Sequence, residues 1–486
     1  MTTTAEVITA LREANLLATE PVGALPAITG LTADSRKVSA GMLYCAIRGT
    51  VEDGHTYVSA AQRAGAAAAL VETAIPLTLP QIVVTDGRRA AAKAAEAWFG
   101  RPAARLDLVG VTGTNGKSTS VALARHVLSA VEPMGSIGTL GAIDPSGAPV
   151  ASEAGNLTTP GPIDLQATLA ELAARGARGV AMEVSSHSLD QGRVEGLTFR
   201  VGVFTNLTRD HLDYHRTFED YYRAKARLAD YLGPNSLEVV NADDPAWQKL
   251  RRGRRRITFG ERGGEVTARR ITVDPGGSRF ELVTPLGSAP VRLPLVGRFN
   301  VANALGVAAT AWGMGLPVEA IAERLAQAPQ VPGRMERLAT RPCTILRDYA
   351  HTPDALERAL EALRPITPRR LLVVFGAGGD RDRGKRAPMG EVVARLADLA
   401  IVTSDNPRTE DPERILDEVE AGMRGPVARP HLRELDRRTA IARALSLARD
   451  GDTLLLAGKG HETYQVIGTV KQPFDERTII RELGAS

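Results

Sequence analysis

Short apolar runs recur along the chain, each followed by a glycine-rich or polar turn and a stretch with helical spacing. In residues 1–103 the runs MLYCAI (42–47), AAAALVE (66–72) and QIVVTD (81–86) read as strands between Ala-rich helical segments, the pattern of a small α/β unit. The opening MTTTAEVITALREANLL reads as an amphipathic helix, and AWFGRPAARL (97–106) as a helix end and a linker. From 107 onward DLVGVTG (107–113), GVAMEVS (179–185), VGVFTNL (201–207) and LEVVNADD (237–244) are buried-strand candidates with helical segments between them, the rhythm of a doubly wound parallel sheet. Residues 255–297 alternate differently, as ITFG, EVTARRITV, RFELVTP and VRLPLVG, and predict a few attached antiparallel strands. A helix follows at FNVANALGVAATAWGM. After VPGRMERL the strand-helix rhythm restarts with CTILRDY, RLLVVFGAG, LAIVTSD and DTLLLAG, predicting a further α/β domain.

Length and composition sharpen this only in places. The 486 residues suffice for two to four domains, and 43% hydrophobic with 24% charged residues is ordinary for a soluble protein. A net charge of +4 is small for this length and makes no case for a nucleic-acid partner. No run of eighteen apolar residues predicts membrane insertion, and the N-terminal helix lacks a signal peptide's cleavage region. Cys45 and Cys343 lie far apart without metal-ligand spacing, so the expected compartment is a reducing cytoplasm. Only eight of the 60 Lys and Arg residues are lysine. Generic positive charge is therefore carried by arginine, and a lysine that remains is a candidate for work a guanidinium cannot do. Lys117, Lys225, Lys385 and Lys459 all fall inside motifs.

The most telling motif is VTGTNGKST. The commonest phosphate-binding loop, G-x-x-x-x-G-K-[ST], would need glycine where Val111 stands. The shorter version still makes a cradle: Gly113 and Gly116 allow close backbone approach, Thr114 and Asn115 supply amides, and a helix N-terminus follows at Lys117. Lys117 would reach outer phosphates, and Ser118, beside Thr119, would offer a hydroxyl to Mg2+. A ligand-free glycine turn is the competing reading, weakened by the apolar strand before the loop and the helix after it. Downstream, MEVSSHSLDQGRV puts Glu183 at one strand end, and FTNLTRDHLDYH puts Asp210 and His211 at another. Carboxylate and imidazole at successive carboxyl ends of a doubly wound sheet suit Mg2+, which takes few protein ligands beside phosphate and water.

TGTNGKST, MEVSSHSL, FTNLTRDHLDYH, NADDP, GRFNVANALGVAA, VPGRME, DYAHTPDAL and SDNPRTEDP occur in that order. In this the chain resembles the ATP-dependent muramyl peptide ligases of bacterial wall synthesis, over essentially its whole length. The short loop is that family's own version. The resemblance implies three α/β domains: 1–103 binding a UDP-substrate, 104–333 carrying a P-loop-type ATPase sheet with a small antiparallel extension, and 334–486, Rossmann-like, binding an amino acid. It implies a reaction in which ATP phosphorylates a carboxylate and an amine attacks the acyl phosphate. Lys117 and the loop would hold phosphates; Ser118, Glu183 and His211 would hold Mg2+. Lys225, in YYRAKARL, matches a lysine carbamylated by CO2 in the family; read on its own it is a solvated helix lysine. Asn303 resembles an adenine contact, and Arg334, Asp348 and His351 resemble ribose and phosphate contacts. His351 read alone could merely cap local backbone.

The remaining implied contacts concern the other two substrates. Ala33, Ser35, Thr50, Val51 and Glu52 would line a UDP pocket, although Asp34, Ser35 and Arg36 read equally well as a helix cap. Asn156, Thr158, Thr159, Ser185, Gln191 and Arg193 would bind the muramyl-dipeptide of UDP-MurNAc-L-Ala-D-Glu, Arg193 gripping a carboxylate or phosphate. Arg381, Asp405, Asn406, Pro407, Arg408, Gly458 and Glu462 resemble a pocket for a diamino acid. Arg408 stands where family members that accept meso-diaminopimelate carry an arginine; its guanidinium would pair with the second carboxylate and be left unpaired by lysine. A Pro-fixed strand-end turn is the plain reading of the same DNPR segment. L-lysine or L-ornithine as acceptor, and more distantly a folylpolyglutamate or cyanophycin type of amide ligase, are the alternatives. The expected enzyme is a cytoplasmic monomer.

Overall fold

The computed structural model describes residues 3–486 apart from 22, 24, 50–51, 152–156, 252–254 and 425–428. Thr50, Val51 and Asn156 therefore lie outside the described residues. The chain divides into two compact units, one comprising Met1–Thr267, Thr284–Gly287 and Asn303–Ile321, the other Ala268–Val283, Ser288–Ala302 and Ala322–Ser486.

The first unit holds two sheets. Strands β1 (Leu31–Thr32), β2 (Leu43–Cys45), β3 (Ala68–Val71) and β4 (Gln81–Val83) form a four-stranded parallel sheet in sequence order. The second sheet is built on β5 (Asp107–Thr112), β6 (Met134–Gly138), β7 (Gly141–Ile143), β8 (Pro149–Val150), β9 (Gly179–Glu183), β10 (Phe199–Phe204), β11 (Leu232–Asn241) and β12 (Arg255–Gly260). Its order is β12-β11-β10-β5-β9-β6-β7-β8. Strands β12 to β6 run parallel, while β7 and β8 fold back as an antiparallel edge. Val109 and Val111 in β5 and Val180 and Met182 in β9 are almost wholly buried, as expected of strands covered on both faces.

One expectation needs correcting here. Residues 257–260, assigned to the antiparallel extension, belong to β12, which pairs parallel with β11. The reason is burial: Ile257 and Phe259 are both about 2% exposed, so the segment is an inner strand of the large sheet. The extension itself is β13 (Val266–Asp274), β14 (Gly277–Thr284) and β15 (Gly287–Leu293), neighbours joined by two-residue connections and hence antiparallel.

The second unit is centred on β16 (Glu336–Ala339), β17 (Thr344–Asp348), β18 (Leu371–Phe375), β19 (Leu399–Val402), β20 (His431–Arg433) and β21 (Thr453–Ala457), in the order β16-β17-β21-β18-β19-β20. Only β16 is antiparallel to its neighbour. Apolar clusters fill both faces, one around Leu356, Phe375 and Val393, the other around Ile345, Ile441 and Leu454. A separate hairpin, β22 (Tyr464–Ile467) with β23 (Val470–Pro473), follows the last sheet strand.

Candidate active site

Register sets the first site. In β5, Val111 pairs with Glu183 of β9 on one side and Val203 of β10 on the other, and Thr112 pairs with Phe204. Val111 is thus a buried ladder residue, and the loop begins only after the strand. The carboxyl ends of three neighbouring parallel strands then release Gly113–Gly116, Glu183 and the segment 205–211 along one edge of the sheet, where a doubly wound fold binds ligands.

The loop is held by the strand end beside it. Thr114 N donates to Asn206 O (2.7 Å), and Asn115 N donates to Asn206 Oδ1 (2.9 Å). Asn206 Nδ2 and Thr205 Oγ1 both donate to Asn115 O, at 3.1 and 2.8 Å. Gly113 (φ 148°) and Gly116 (φ 84°) occupy conformations costly for other residues. A Cβ on Gly113 would lie 1.9 Å from Thr205 Oγ1, and one on Gly116 2.2 Å from Asn303 Oδ1. Asn303 therefore stands against the loop's last glycine. Lys117 opens the helix Lys117–Leu128, and its Nζ donates back to Gly113 O and Thr114 O, both at 2.9 Å. Ser118 and Thr119 are buried in that helix's first turn.

Lys225 joins the same loop from the helix Phe218–Ala226. Its Nζ donates to Gly113 O at 2.7 Å, its side chain is 1% exposed, and it lies 4.7 Å from the Tyr221 ring centroid. The solvated-lysine alternative does not describe this environment. Burial, reinforced by the charge of Lys117, holds the amine well below its ordinary basicity. Glu183 is 2% exposed, and Oε1 accepts from Thr139 N at 2.8 Å. His211 adopts φ 51° at the start of a short helical turn; burial, with Lys225 and Lys117 adding to it, depresses its basicity. Asp210 accepts from His211 N through Oδ1 at 2.8 Å.

These residues fit a nucleotide triphosphate with Mg2+. The glycine cradle leaves no space for a Cβ, the Lys117 ammonium and a helix N-terminus border it, and the neighbouring donors are hard oxygens plus one imidazole. Among the described residues no group of three or more His, Cys, Asp and Glu side chains could hold a metal by itself. That agrees with an ion whose other ligands come from phosphate and water.

Ala33, Ser35 and Glu52, expected at a UDP pocket, line a cavity of about 1280 Å3, with Tyr57, Asp164 and Arg175 among the other walls. Asp34 also caps the short helix Ser35–Lys37, accepting from Arg36 N, so the cap reading and the cavity coexist. The bidentate Arg36 guanidinium holds the Asp34 carboxyl down at about 2. Nearer Glu183, Thr158 Oγ1 accepts from Thr139 Oγ1 (3.3 Å), and Thr159 Oγ1 donates to Glu183 O (2.8 Å) and accepts from Ser185 N (3.2 Å). Arg193 donates to Thr159 O and to Gln191 Oε1, closing a web that carries Thr158, Thr159, Ser185, Gln191 and Arg193 together.

In the second unit Asp348 ends β17, and its carboxylate accepts from Met335 N (2.7 Å) and Ala350 N (2.9 Å); burial raises its pKa above the usual carboxylate value. Arg334 lies over the Tyr349 ring, 5.0 Å from its centroid, and His351 Nδ1 is 2.7 Å from Tyr349 O. Burial lowers the basicity of His351.

The ends of β18, β19 and β21 bring the amino-acid candidates together. Arg408, in the left-handed conformation (φ 51°), donates from Nη1 to Gly379 O at 2.7 Å; a Cβ on Gly378 would lie 3.1 Å from Arg408 Nη1 and 3.8 Å from Arg381 Cγ. The hairpin holds the segment: Arg408 N donates to Val466 O, Gly468 N to Arg408 O, and Gln465 Nε2 to Asp405 O. Pro407 O packs against Gly379, where a Cβ would approach to 1.9 Å. Asp405 is 8% exposed, and its Oδ2 faces Gly458 (φ 112°), 3.9 Å from Arg437 Nη1. Asn406 Nδ2 donates to Glu462 Oε2 at 2.9 Å. Arg381 is exposed at the rim.

Several contributors were not singled out in the sequence. Asn206 and Thr205 sit within the quoted FTNLT motif but carry neither charge nor metal-ligand chemistry. Thr139 belongs to a glycine-rich stretch without a distinguishing pattern. His187 lies beside His211 (4.9 Å between centroids) and Tyr214 (4.3 Å), and burial, with the charges of His211 and His215, pulls its pKa down to about 4.

A doubly wound sheet with this short phosphate loop, a buried basic-side amine and a second α/β unit defines a class of nucleotide-dependent ligase, and comparison with known proteins places the chain. Residues 27–115 match the Mur ligase family, catalytic domain; residues 111–311 the Mur ligase middle domain; and residues 333–460 the Mur ligase, glutamate ligase domain. The chain belongs to the Mur ligase family, whose members form amide bonds at the expense of ATP. It is 44% identical to the UDP-N-acetylmuramoyl-L-alanyl-D-glutamate--2,6-diaminopimelate ligase of Geobacillus kaustophilus, over 94% of this chain and 95% of that one. It is 46% identical to the same ligase of Synechococcus elongatus, over 93% of each. A solved structure of a ligase of that name superposes with a TM-score of 0.66 at 33% identity, covering 96% of both chains.

Proposed function

We propose that this chain joins the amine of meso-diaminopimelate to the D-Glu carboxylate of UDP-MurNAc-L-Ala-D-Glu, releasing ADP and phosphate, in peptidoglycan precursor synthesis. The observation that carries the reading is the convergence on Gly113 O of two lysines, Lys117 and Lys225, beside strand ends bearing Glu183 and His211. The similarity to diaminopimelate ligases over nearly the full length supports the choice of substrates. We assign 1–103 to UDP-substrate binding, 104–333 to ATP and 334–486 to the amino acid, in a cytoplasmic monomer. Among the described residues no helix is long and apolar enough to cross a membrane, and both cysteines are free and buried.

In the first step a carboxylate oxygen attacks the γ-phosphorus of ATP, two anions that repel each other. The Lys117 ammonium and the helix N-terminus that follows the glycine loop lower that repulsion. Mg2+, when bound through Ser118, Glu183 and His211, supplies further charge neutralisation. Burial holds the Lys225 amine well below its ordinary basicity, which favours the neutral form that adds CO2; the resulting carbamate would be an anionic metal ligand. Asn303, Arg334, Asp348 and His351 are assigned to the nucleoside and phosphates. In the second step the diamino acid's amine attacks the acyl phosphate carbonyl, the tetrahedral intermediate collapses, and phosphate leaves. Arg408 and Arg381 are suited to the acceptor's carboxylates, Glu462 and Asp405 to its ammonium groups. Ala33, Ser35 and Glu52, with Thr50 and Val51, are assigned to the uridine end; Asn156, Thr158, Thr159, Ser185, Gln191 and Arg193 to the muramyl-dipeptide.

The test is direct. Purified chain is incubated with UDP-MurNAc-L-Ala-D-Glu, ATP, Mg2+ and one of meso-diaminopimelate, L-lysine or L-ornithine, and phosphate release and product mass are followed. Turnover with meso-diaminopimelate is expected. Turnover confined to lysine or ornithine would overturn the acceptor assignment, and no turnover with any amine would overturn the ligase reading.

A further inference from the structure

Lys459 is a fully buried cation beside the acceptor-pocket residues and has no place in the contacts assigned above. Its side chain is 0% exposed. Nζ donates to Asn406 Oδ1 at 3.0 Å and lies 3.4 Å from Glu462 Oε2, while Asn406 Nδ2 donates to the same Glu462 oxygen at 2.9 Å. The three groups close a triangle. Asn406 Oδ1 also accepts from Val466 N of the hairpin at 2.9 Å. The Phe474 ring lies 5.9 Å from the ammonium.

The backbone around the lysine is equally fixed. Gly458 (φ 112°) and Gly460 (φ 54°) flank it; a Cβ on the first would meet Asp405 Oδ2 at 2.5 Å and one on the second the Tyr349 side chain at 2.6 Å. The ammonium of Lys459 is engaged with Asn406 and Glu462, the two pocket residues through which it would act. Taking an ammonium out of water is expensive unless partners compensate. This chain buries other cations, Arg386 and Arg437, as arginine, and arginine dominates its positive charge. A compact ammonium here serves geometry that a planar guanidinium would not fit.

We propose that Lys459 is a positioning residue that determines acceptor specificity. It locks the Asn406 amide and the Glu462 carboxylate in one arrangement, and its charge offsets one of the two pocket carboxylates, Asp405 and Glu462. With Arg381 and Arg408 the pocket then carries one net positive charge. A diamino acid with two carboxylates, neutral overall, enters without penalty; a monocarboxylate diamino acid, carrying a net positive charge, is disfavoured. Loss of the buried charge lifts that penalty and loosens the grip on the dicarboxylate. The inference rests on the assignment of this pocket to the acceptor amine.

The test compares wild type with Lys459→Gln and Lys459→Met, measuring KM for each substrate and kcat/KM for meso-diaminopimelate and L-lysine. The expected result is a rise in KM for meso-diaminopimelate of about tenfold, with KM for ATP and for UDP-MurNAc-L-Ala-D-Glu within about twofold of wild type. The ratio of kcat/KM between meso-diaminopimelate and lysine should fall in both variants. An unchanged acceptor KM, a parallel rise for all three substrates, or an unchanged ratio overturns the proposal. If neither variant folds, Lys459 is a stabilising core residue and the proposal is wrong. Wild type is assayed first on the acceptor panel. Failure there to use meso-diaminopimelate sinks the function proposed above, while positioning is still judged on the KM of whichever amine wild type takes.

Discussion

Lys225 is the residue whose surroundings say most about its chemistry. An amine that is 1% exposed, bonded to one carbonyl and facing Lys117 has its basicity pulled well down, toward the neutral form that reacts with CO2. A guanidinium in its place stays charged and cannot form a carbamate. Lys225→Ala is therefore expected to lose activity by at least about a hundredfold, and Lys225→Arg not to restore it; added bicarbonate should stimulate only the wild type in phosphate-release assays. Full activity in the arginine variant would rule out the carbamate. Arg408 offers a second test at the same scale. One nitrogen is anchored to Gly379 O, leaving the rest of the fork for a carboxylate. Arg408→Ala should raise KM for meso-diaminopimelate by about 30-fold or more, the loss of a charge-assisted pair, with KM for ATP unchanged. A shift in ATP affinity of the same size would move Arg408 out of the acceptor pocket.

At the scale of elements, the phosphate loop depends on the strand end next to it. Asn206 and Thr205 give the loop four hydrogen bonds, and Gly113 leaves no room against Thr205. Asn206→Ala is expected to raise KM for ATP about tenfold, through loss of two bonds to Asn115, while thermal stability changes little. Gly113→Ala should be harsher, abolishing ATP-dependent phosphate release, because a Cβ must displace Thr205 at a positive φ. Retained ATP turnover in Gly113→Ala would show that the cradle is not where phosphate sits. The loop itself was legible in sequence because its glycines, lysine and flanking strand are local features. Its clamp was not, since Asn206 is 91 residues from Asn115 and a neutral amide looks like any turn residue. Apolar strands such as β5, β9, β18 and β21 were legible for the same reason that they are buried. The hairpin β22–β23 was not: its residues are half-exposed or exposed, so no apolar run marks it. Segment 257–260 was misread because two buried side chains, Ile257 and Phe259, alternate with Thr258 just as an antiparallel edge strand would. The site residues were legible chiefly through their resemblance to a family; taken one at a time, Ser35, His351 and Asn406 are unremarkable caps and turns.

For the whole molecule, the imidazoles decide how stability responds to acid. Burial holds His187 and His461 down at about 4, and His211, His215 and His351 below their ordinary value. The folded chain thus keeps these rings neutral where the unfolded chain, with an ordinary histidine pKa near 6.5, already takes up protons. Stability is complete above about pH 6.5 and is lost as pH falls toward 4, since the unfolded state binds more protons throughout that window. The carboxylates act lower: Asp34, held at about 2 by Arg36, keeps its contribution until the pH drops below about 4. Between pH 7 and 5 each such histidine adds at most about 1.4 kcal/mol per pH unit. His461 isolates the effect, because it lies against Tyr349 with Arg334 and Arg347 opposing its charge and takes no part in the proposed metal site. The thermal midpoint of the wild type should fall on going from pH 7 to pH 5, and His461→Gln, which does not titrate, should fall less over the same interval while matching its own pH 7 baseline. An equal decline in both proteins would mean that His461 titrates alike in the folded and unfolded chains, and that its ring is not in the desolvated setting that packs the β21 loop against Tyr349.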